Sequence, residues 1–423
     1  MAYLKVLIIG YVWPETNASA AGLRDWAILE HCLKQGWEVL YVSPAKENAF
    51  SEKIQKLGVR IFSCQANDSR FDDFILEVSP DVVVFDRFVT EEQFGWRVSE
   101  HAPEALRIVD TQDLHFLRRS RQLAFEKELV IKKDVDLEFF RKFSEDTFLR
   151  EMSSLLRSDH VFVLSSFEQK ILTSLGFPEE SMTLLRFSYP HPPQSLPSFE
   201  NRKHFVTIGN FRHPPNADAV LFLHQQIWPK LRLLSPPGTE LHIYGAYPAK
   251  EMMSLDDPET GFRVKGPAPD QYKTLEKYRV LLAPLRFGAG IKGKISDAWW
   301  SGTPVVTSAI GAEGMMSSPE FPGLWISQTD PLSDFISEFN QAALSIYGDF
   351  EKWHKTQSQG FEVINEEYSF ARNQTLLTQK IASLKQNQAK RRSKDWLGAM
   401  LSTQLMRSTK YFSKWIEAKN QNA

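Results

Sequence analysis

Cysteine is nearly missing from this chain. Cys32 and Cys64 are the only two in 423 residues, and their spacing suits neither a disulfide framework nor a metal-ligand set. A reducing compartment fits, and the expected location is cytoplasmic. An excess of either charge is missing too: 50 Lys and Arg stand against 52 Asp and Glu, a formal net charge of −2. That excludes nucleic-acid binding by bulk charge and makes any basic patch a local feature. No apolar run approaches the roughly 20 residues that span a bilayer. The first one, 4–9, runs straight into Gly10 and reads as a β-strand, not as a secretion signal.

What is present is ordinary for a globular enzyme, with 42% hydrophobic and 24% charged residues. The length favours two domains. Apolar runs of strand length recur at 4–9, 37–42, 59–62, 81–85, 106–109, 161–164 and 183–185, and helical patterns separate most of them. The same grammar restarts at 205–209 and continues at 240–245, 262–266, 278–284, 305–306 and 323–327. Such alternation predicts α/β architecture: two Rossmann-like, doubly wound parallel sheets facing a shared cleft. Between the two halves, Pro190, Pro192, Pro193 and Pro197 interrupt a polar stretch that reads as a linker. The expected organisation is a first domain over 1–186, a linker over 187–203, a second domain over 204–370 and a helical tail over 371–423.

The most informative stretch is 284–304, Pro-Leu-Arg-Phe-Gly-Ala-Gly-Ile-Lys-Gly-Lys-Ile-Ser-Asp-Ala-Trp-Trp-Ser-Gly-Thr-Pro. It reads strand, glycine loop, helix, strand. Gly288, Gly290 and Gly293 allow close approach of a ligand to the backbone, and the helix start supplies N–H donors and a positive dipole end. Lys292 and Lys294 add charge, and Asp297 points from the first helical turn toward the same place. This is the chemistry of a diphosphate site with a carboxylate beside it. It is not a Walker loop, because no Gly-Lys-Ser/Thr follows.

Ligands of open α/β sheets bind beyond the carboxyl ends of the strands. The loop 10–22, with Pro14, Asn17, Ser19 and Gly22, is placed to line such a site, as is 266–271. Asp86 ends one strand, and Asp110, Asp113 and His115 follow another; Asp110 alternatively caps the next helix. The loops expected at the cleft carry no Asp-x-Asp metal motif. Residues 116–156 are charged at helical spacing, with Arg118, Arg119, Arg121, Lys127, Lys132 and Lys133 among acids such as Glu126, Glu128, Asp134, Asp136 and Glu138. They read as solvated helix faces, or as an arginine cluster facing a substrate or membrane. The tail 390–419 is basic, and Trp396, Leu397, Met400, Leu401, Leu405, Tyr411, Phe412, Trp415 and Ile416 recur at three-and-four spacing. It suits either an anionic membrane surface or packing against protein.

In combination these residues resemble the retaining glycosyltransferases of family 4, glycosyl transferases group 1, which have the GT-B architecture. The strongest match is 283–314, with its Asp297-Ala pair, Ser301-Gly302 and Pro304-Val-Val. Support comes from 208–216 (Ile-Gly-Asn-Phe-Arg-His-Pro-Pro-Asn), 242–245, 264–266 and 10–36. The resemblance spans roughly 3–370. It implies a second domain that binds a nucleotide-diphospho-sugar, a UDP- or GDP-sugar, with no cofactor or metal, and a first domain that binds the acceptor: a glycan, a lipid-linked sugar or a protein. It implies that Arg212 and Lys292 or Lys294 neutralise the diphosphate with N–H groups around Gly290 and Ile291. Gly209 and Gly288 belong to the matched motifs. Asp297 stands where the family has a ribose-binding Glu, Gly266 opens the loop beside the base, and Ala21 and Gly22 approach from the first domain. Asp110, Asp113 or His115 falls near the sugar. The family often has a second acid eight positions before Asp297; here that position is Ala289. Two other readings of the same residues are a nucleotide-sugar epimerase, drawing on Asp110, Asp113 and Glu313, and a degenerate nucleotide-sugar-binding or membrane scaffold protein. The tail places the protein on the inner face of a membrane as a peripheral protein if it meets lipid.

Overall fold

The computed structural model describes residues 3–16, 20–128, 136–318, 320–327 and 331–421, apart from the side chains of 404–406 and 421. Asn17, Ser19, Lys132, Lys133, Asp134 and the Leu405 side chain, singled out above, lie outside the described residues.

Two parallel sheets form the frame. The first comprises β1 (Lys5–Ile9), β2 (Glu38–Ser43), β3 (Arg60–Ser63), β4 (Val82–Asp86), β5 (Leu106–Asp110), β6 (His160–Val163) and β7 (Met182–Leu184), in the order 3-2-1-4-5-6-7. The second comprises β8 (Lys203–Asn210), β9 (Leu241–Ala246), β10 (Phe262–Gly266), β11 (Tyr278–Ala283), β12 (Val305–Ser308) and β13 (Leu324–Ile326), in the order 10-9-8-11-12-13. Both orders reverse direction beside the first strand of the sheet, β1 or β8, which is where such sheets bind ligands. The central strands are buried on both faces: Val6, Leu7, Val83 and Ile108 have no exposed surface. This is why they read as continuous apolar runs without alternation. The arrangement is the pair of doubly wound parallel sheets that the alternation predicts, and the GT-B architecture that the resemblance implies.

The chain crosses between the sheets twice, and the crossings are tied together. The Tyr189 N–H donates to the Tyr368 carbonyl at 2.8 Å, and the Phe370 N–H donates to the Tyr189 carbonyl at 2.8 Å. After the second crossing, the helix Phe370–Arg392 packs on the first sheet, placing Leu377, Ile381 and Leu384 in one core with Val6, Ile8 and Val84. A 26-residue tail helix, Trp396–Gln421, then lies against the helices Arg87–His101 and Leu137–Arg157. Gly398, Lys410, Ser413 and Glu417 are on the side that docks. Gly398 and Ser413 are buried, Arg97 pairs with Glu417, and Lys410 reaches Glu100. Trp396, Met400, Tyr411, Phe412 and Trp415 point to solvent. Among the described residues, no helix is long and apolar enough to cross a membrane.

Candidate active site

A cavity of about 1060 Å³ opens between the carboxyl ends of the two sheets, lined from both sides. The second sheet contributes the loop after β11 and the helix Gly293–Trp300 that it feeds. The backbone turns tightly there: Gly288 has φ 144° and Gly290 φ 67°, both conformations that favour glycine. A Cβ on Gly293 would stand 2.8 Å from that of Ala20 on the first domain, so glycine also sets how closely the two sides approach.

Lys292 and Lys294 both line the cavity. The Lys292 ammonium donates to the Gly290 carbonyl at 2.8 Å, and that of Lys294 to Asn216 Oδ1 at 2.8 Å. Burial lowers each of them to about 8. At that value each lysine still carries its charge near pH 7, and a phosphate oxygen in place of the neutral acceptor favours the charged form further. Asp297 is buried at the same helix end and is pushed up to about 7 by desolvation, against the pull of the Tyr189 and Tyr272 hydroxyls. Tyr189 donates to Asp297 Oδ1 at 2.7 Å.

The first sheet contributes the segment after β5. Asp113, His115 and Arg118 line the cavity together with His213 from the loop after β8. His115 Nε2 lies 3.4 Å and Arg118 Nε 3.3 Å from the Asp113 carboxylate, and Arg118 Nη1 lies 3.3 Å from His213 Nε2. Although desolvation opposes ionisation, Arg118 and the nearby imidazoles hold Asp113 below the usual carboxylate range. Burial outweighs that carboxylate for both imidazoles, lowering His115 and His213 to about 4, so each is neutral near pH 7.

Of the residues that sequence reasoning placed at the site, the structure brings Ala21, Asp113, His115, Gly209, Gly288, Ile291, Lys292, Lys294 and Asp297 to the cavity wall. Gly22, Asp110, Arg212, Gly266 and Gly290 are not on the lining. Asp110 is 1% exposed and engaged by Arg24, whose Nη2 and Nε lie 2.6 Å from its two oxygens. Arg212 is exposed, with its guanidinium 4.0 Å from the centre of the Tyr247 ring. A Cβ on Gly22 would strike the Glu15 backbone at 2.5 Å, so Gly22, in the helix Ala20–Lys34, lets the chain at Glu15 pack closely on that helix. The Gly290 N–H is directed away from the cavity, to Glu168.

Sequence reasoning missed Glu168, Tyr189, Asn216 and the cavity-lining role of His213. It left Arg121 among solvated or substrate-facing charges, yet Arg121 is fully buried and grips the second domain. Ser165-x-x-Glu168 has the form of a helix capping box. Ser165 does accept the Glu168 N–H, but the Glu168 carboxylate serves other partners.

Residues 202–348 match the family model described as glycosyl transferases group 1. The matched stretch contains the glycine loop, both lysines and Asp297. Solved structures similar to the whole chain share its fold. HepE of Anabaena, in complex with UDP-glucose, has a TM-score of 0.66 at 12% identity over 90% of this chain and 100% of that one. Sucrose-phosphate synthase from Thermosynechococcus elongatus has 0.66 at 14% identity, over 90% and 99%. A glycosyltransferase from Rickettsia africae has 0.65 at 10% identity, over 91% and 99%. No curated protein sequence matches the chain.

Proposed function

We propose that this protein transfers a sugar from a nucleotide-diphospho-sugar to an acceptor hydroxyl with retention of anomeric configuration. The observation that carries the reading is the convergence, in one interdomain cavity, of Lys292, Lys294 and the start of the helix Gly293–Trp300 on one side with Asp113 and His115 on the other. The lysines and the helix start meet the diphosphate. Asp297 takes the ribose hydroxyls, displacing the Tyr189 hydroxyl or sharing the carboxylate with it, and 267–271 flanks the base. The complex of HepE with UDP-glucose favours UDP as the first nucleotide to try.

Bond breaking between the anomeric carbon and the β-phosphate oxygen leaves charge on the leaving diphosphate. Fixed cations and N–H dipoles placed there stabilise the transition state more than the ground state. The acceptor hydroxyl attacks from the face the diphosphate leaves, and its proton passes to the departing phosphate oxygen. Charge neutralisation by protein groups means that the proposed chemistry calls for no metal. Domain closure orients both substrates and excludes water.

The acceptor side carries Tyr11, Phe50, Lys53 and Arg87 on the first domain. The tail helix, with its aromatic face turned outward and Arg407 and Lys414 on the same side, fits an anionic membrane surface. A peripheral position and a lipid-linked acceptor follow from that reading.

A thermal-shift series with UDP-, GDP-, TDP- and ADP-sugars tests the donor, since a ligand that binds only the folded state raises its stability. The reading expects one nucleotide class to stand out and transfer to yield a product with the donor's anomeric configuration by proton NMR. A product of opposite configuration removes the retaining mechanism. Epimerised nucleotide sugar formed without acceptor removes transfer.

A further inference from the structure

Glu168 belongs to the first domain, at the start of the helix Ser166–Ser174, yet its side chain reaches the second. Its Oε1 accepts two backbone N–H groups, from Leu114 at 2.8 Å and from Gly290 at 2.9 Å. Leu114 sits between Asp113 and His115. Gly290 sits two residues before Lys292. One buried oxygen therefore joins the acceptor-side segment to the donor-side loop. Its other oxygen, Oε2, is buried without a hydrogen-bond partner. Neighbouring contacts grip the same loop: Arg121 donates to the Gly288 carbonyl at 2.9 Å, and a Cβ on Gly290 would stand 2.8 Å from that of Asp113. The glycine loop is held from across the cleft.

We infer that Glu168 is a positioning residue that sets the 288–292 loop against the Asp113–His115 segment, so that the donor cradle is complete only in the closed form. The inference rests on the donor reading above. It gives the carboxylate from the first domain a backbone partner beside Ala289, where the family often has an acid of its own. The requirement is reach, not charge: either a carboxyl or an amide oxygen can accept the two N–H groups. Burial and the nearby Asp113 push Glu168 up to about 8, against the pull of the two N–H groups and Lys292, which makes glutamine a close replacement at neutral pH.

Two conservative variants separate reach from charge. Glu168→Asp keeps the acid and draws the oxygen back by about 1.5 Å. Glu168→Gln keeps the reach. With UDP-glucose as donor and released UDP as the readout, E168D is expected to lower kcat at least about tenfold with UDP Kd unchanged, because small misplacements lower the rate steeply. E168Q should stay within about threefold of the parent. Hydrogen exchange of the peptide containing Gly290 should speed up in E168D and not in E168Q. Equal rates for E168D and the parent overturn the inference, as do equal losses in E168D and E168Q, or a loss that appears wholly as weaker UDP binding. The exchange measurement needs no nucleotide. If the parent fails to bind UDP or turn over UDP-glucose, that failure counts against the donor assignment, while the exchange pattern still decides the role of Glu168.

Discussion

Arg121 lies 2.7 and 2.9 Å from the two carboxylate oxygens of Glu313, across the boundary between the domains. The arginine side chain is wholly buried and that of the glutamate 13% exposed. Removing one member of such a pair strands the other charge, a loss of about 3 kcal/mol or more. Arg121→Gln should therefore lower the denaturation midpoint clearly. Arg121→Gln with Glu313→Gln should recover part of the loss, giving a coupling energy of about 1–3 kcal/mol in a double-mutant cycle. Strict additivity would show that the pair does not hold the domains together.

Lys294 and Arg212 make a second, contrasting pair. Lys294 lines the cavity, whereas Arg212 stacks on Tyr247 outside it. A charge-assisted contact contributes roughly 1.5–3 kcal/mol, so Lys294→Ala should weaken UDP binding about tenfold to a hundredfold by calorimetry. Arg212→Ala should change it by no more than about threefold if the guanidinium stays on Tyr247. Equal losses would mean that Arg212 leaves the ring and joins the diphosphate, as the family resemblance implies.

The pH dependence of nucleotide binding follows from the two lysines at about 8. The diphosphate prefers the protonated form, which the free protein loses as pH rises through that value. Affinity should be fully developed below pH 7 as far as these groups are concerned. Above pH 8 it should fall by up to about tenfold per pH unit for each lysine that must regain its proton. Calorimetry at pH 8.5 in two buffers of different ionisation enthalpy should show net proton uptake on UDP binding. Proton release instead would remove both lysines from the diphosphate site.

How far the sequence reveals the site is clearest along 106–115. The apolar run of β5 fixed the strand, and the strand end fixed where polar groups would gather. The sequence alone could not separate Asp110 from Asp113. Asp110 is the last residue of the strand and turns beneath the cavity to Arg24, a contact 86 positions away in sequence. Gln112, at φ 61°, swings the chain so that Asp113 emerges into the cavity. Local glycine chemistry made Gly288, Lys292 and Asp297 readable in the same way. Glu168 and Arg121 were not readable as site residues, because their partners are on the other domain and only the closed arrangement brings them together. In the tail, the apolar period was visible, but which face docks is set by Gly398, Ser413 and Arg97, and the aromatic face turns outward.

Asp110 also supplies a test of structure against chemistry. Both of its oxygens bind the Arg24 guanidinium, and Gln112 Nε2 lies 3.2 Å from Oδ2. Asp110→Ala leaves that arginine buried without its counter-charge, so a stability loss of about 3–5 kcal/mol is expected. Because Asp110 is off the cavity lining, UDP Kd measured well below the melting temperature should stay within about twofold. A variant that keeps its stability but loses turnover would return Asp110 to the reaction.

The tail helix gives the last test. Trp396, Met400, Tyr411 and Trp415 lie on the solvent-facing side, while Arg97, Glu100 and the buried Ser413 hold the opposite side to the first domain. A helix that only packs on its own protein would turn its tryptophans inward. Lipid binding through an exposed aromatic face needs the ring area as well as the basic residues, and it strengthens with anionic lipid. The 423-residue chain should sediment with phosphatidylserine-containing vesicles and much less with neutral ones. Trp396→Ser with Trp415→Ser should weaken that binding about tenfold or more without lowering the melting temperature, since both rings are already in solvent. Raising salt should weaken binding of the parent to anionic vesicles, because the lysine and arginine contribution is screened. Unchanged sedimentation of the double variant would remove the aromatic face from membrane contact and leave it for another protein.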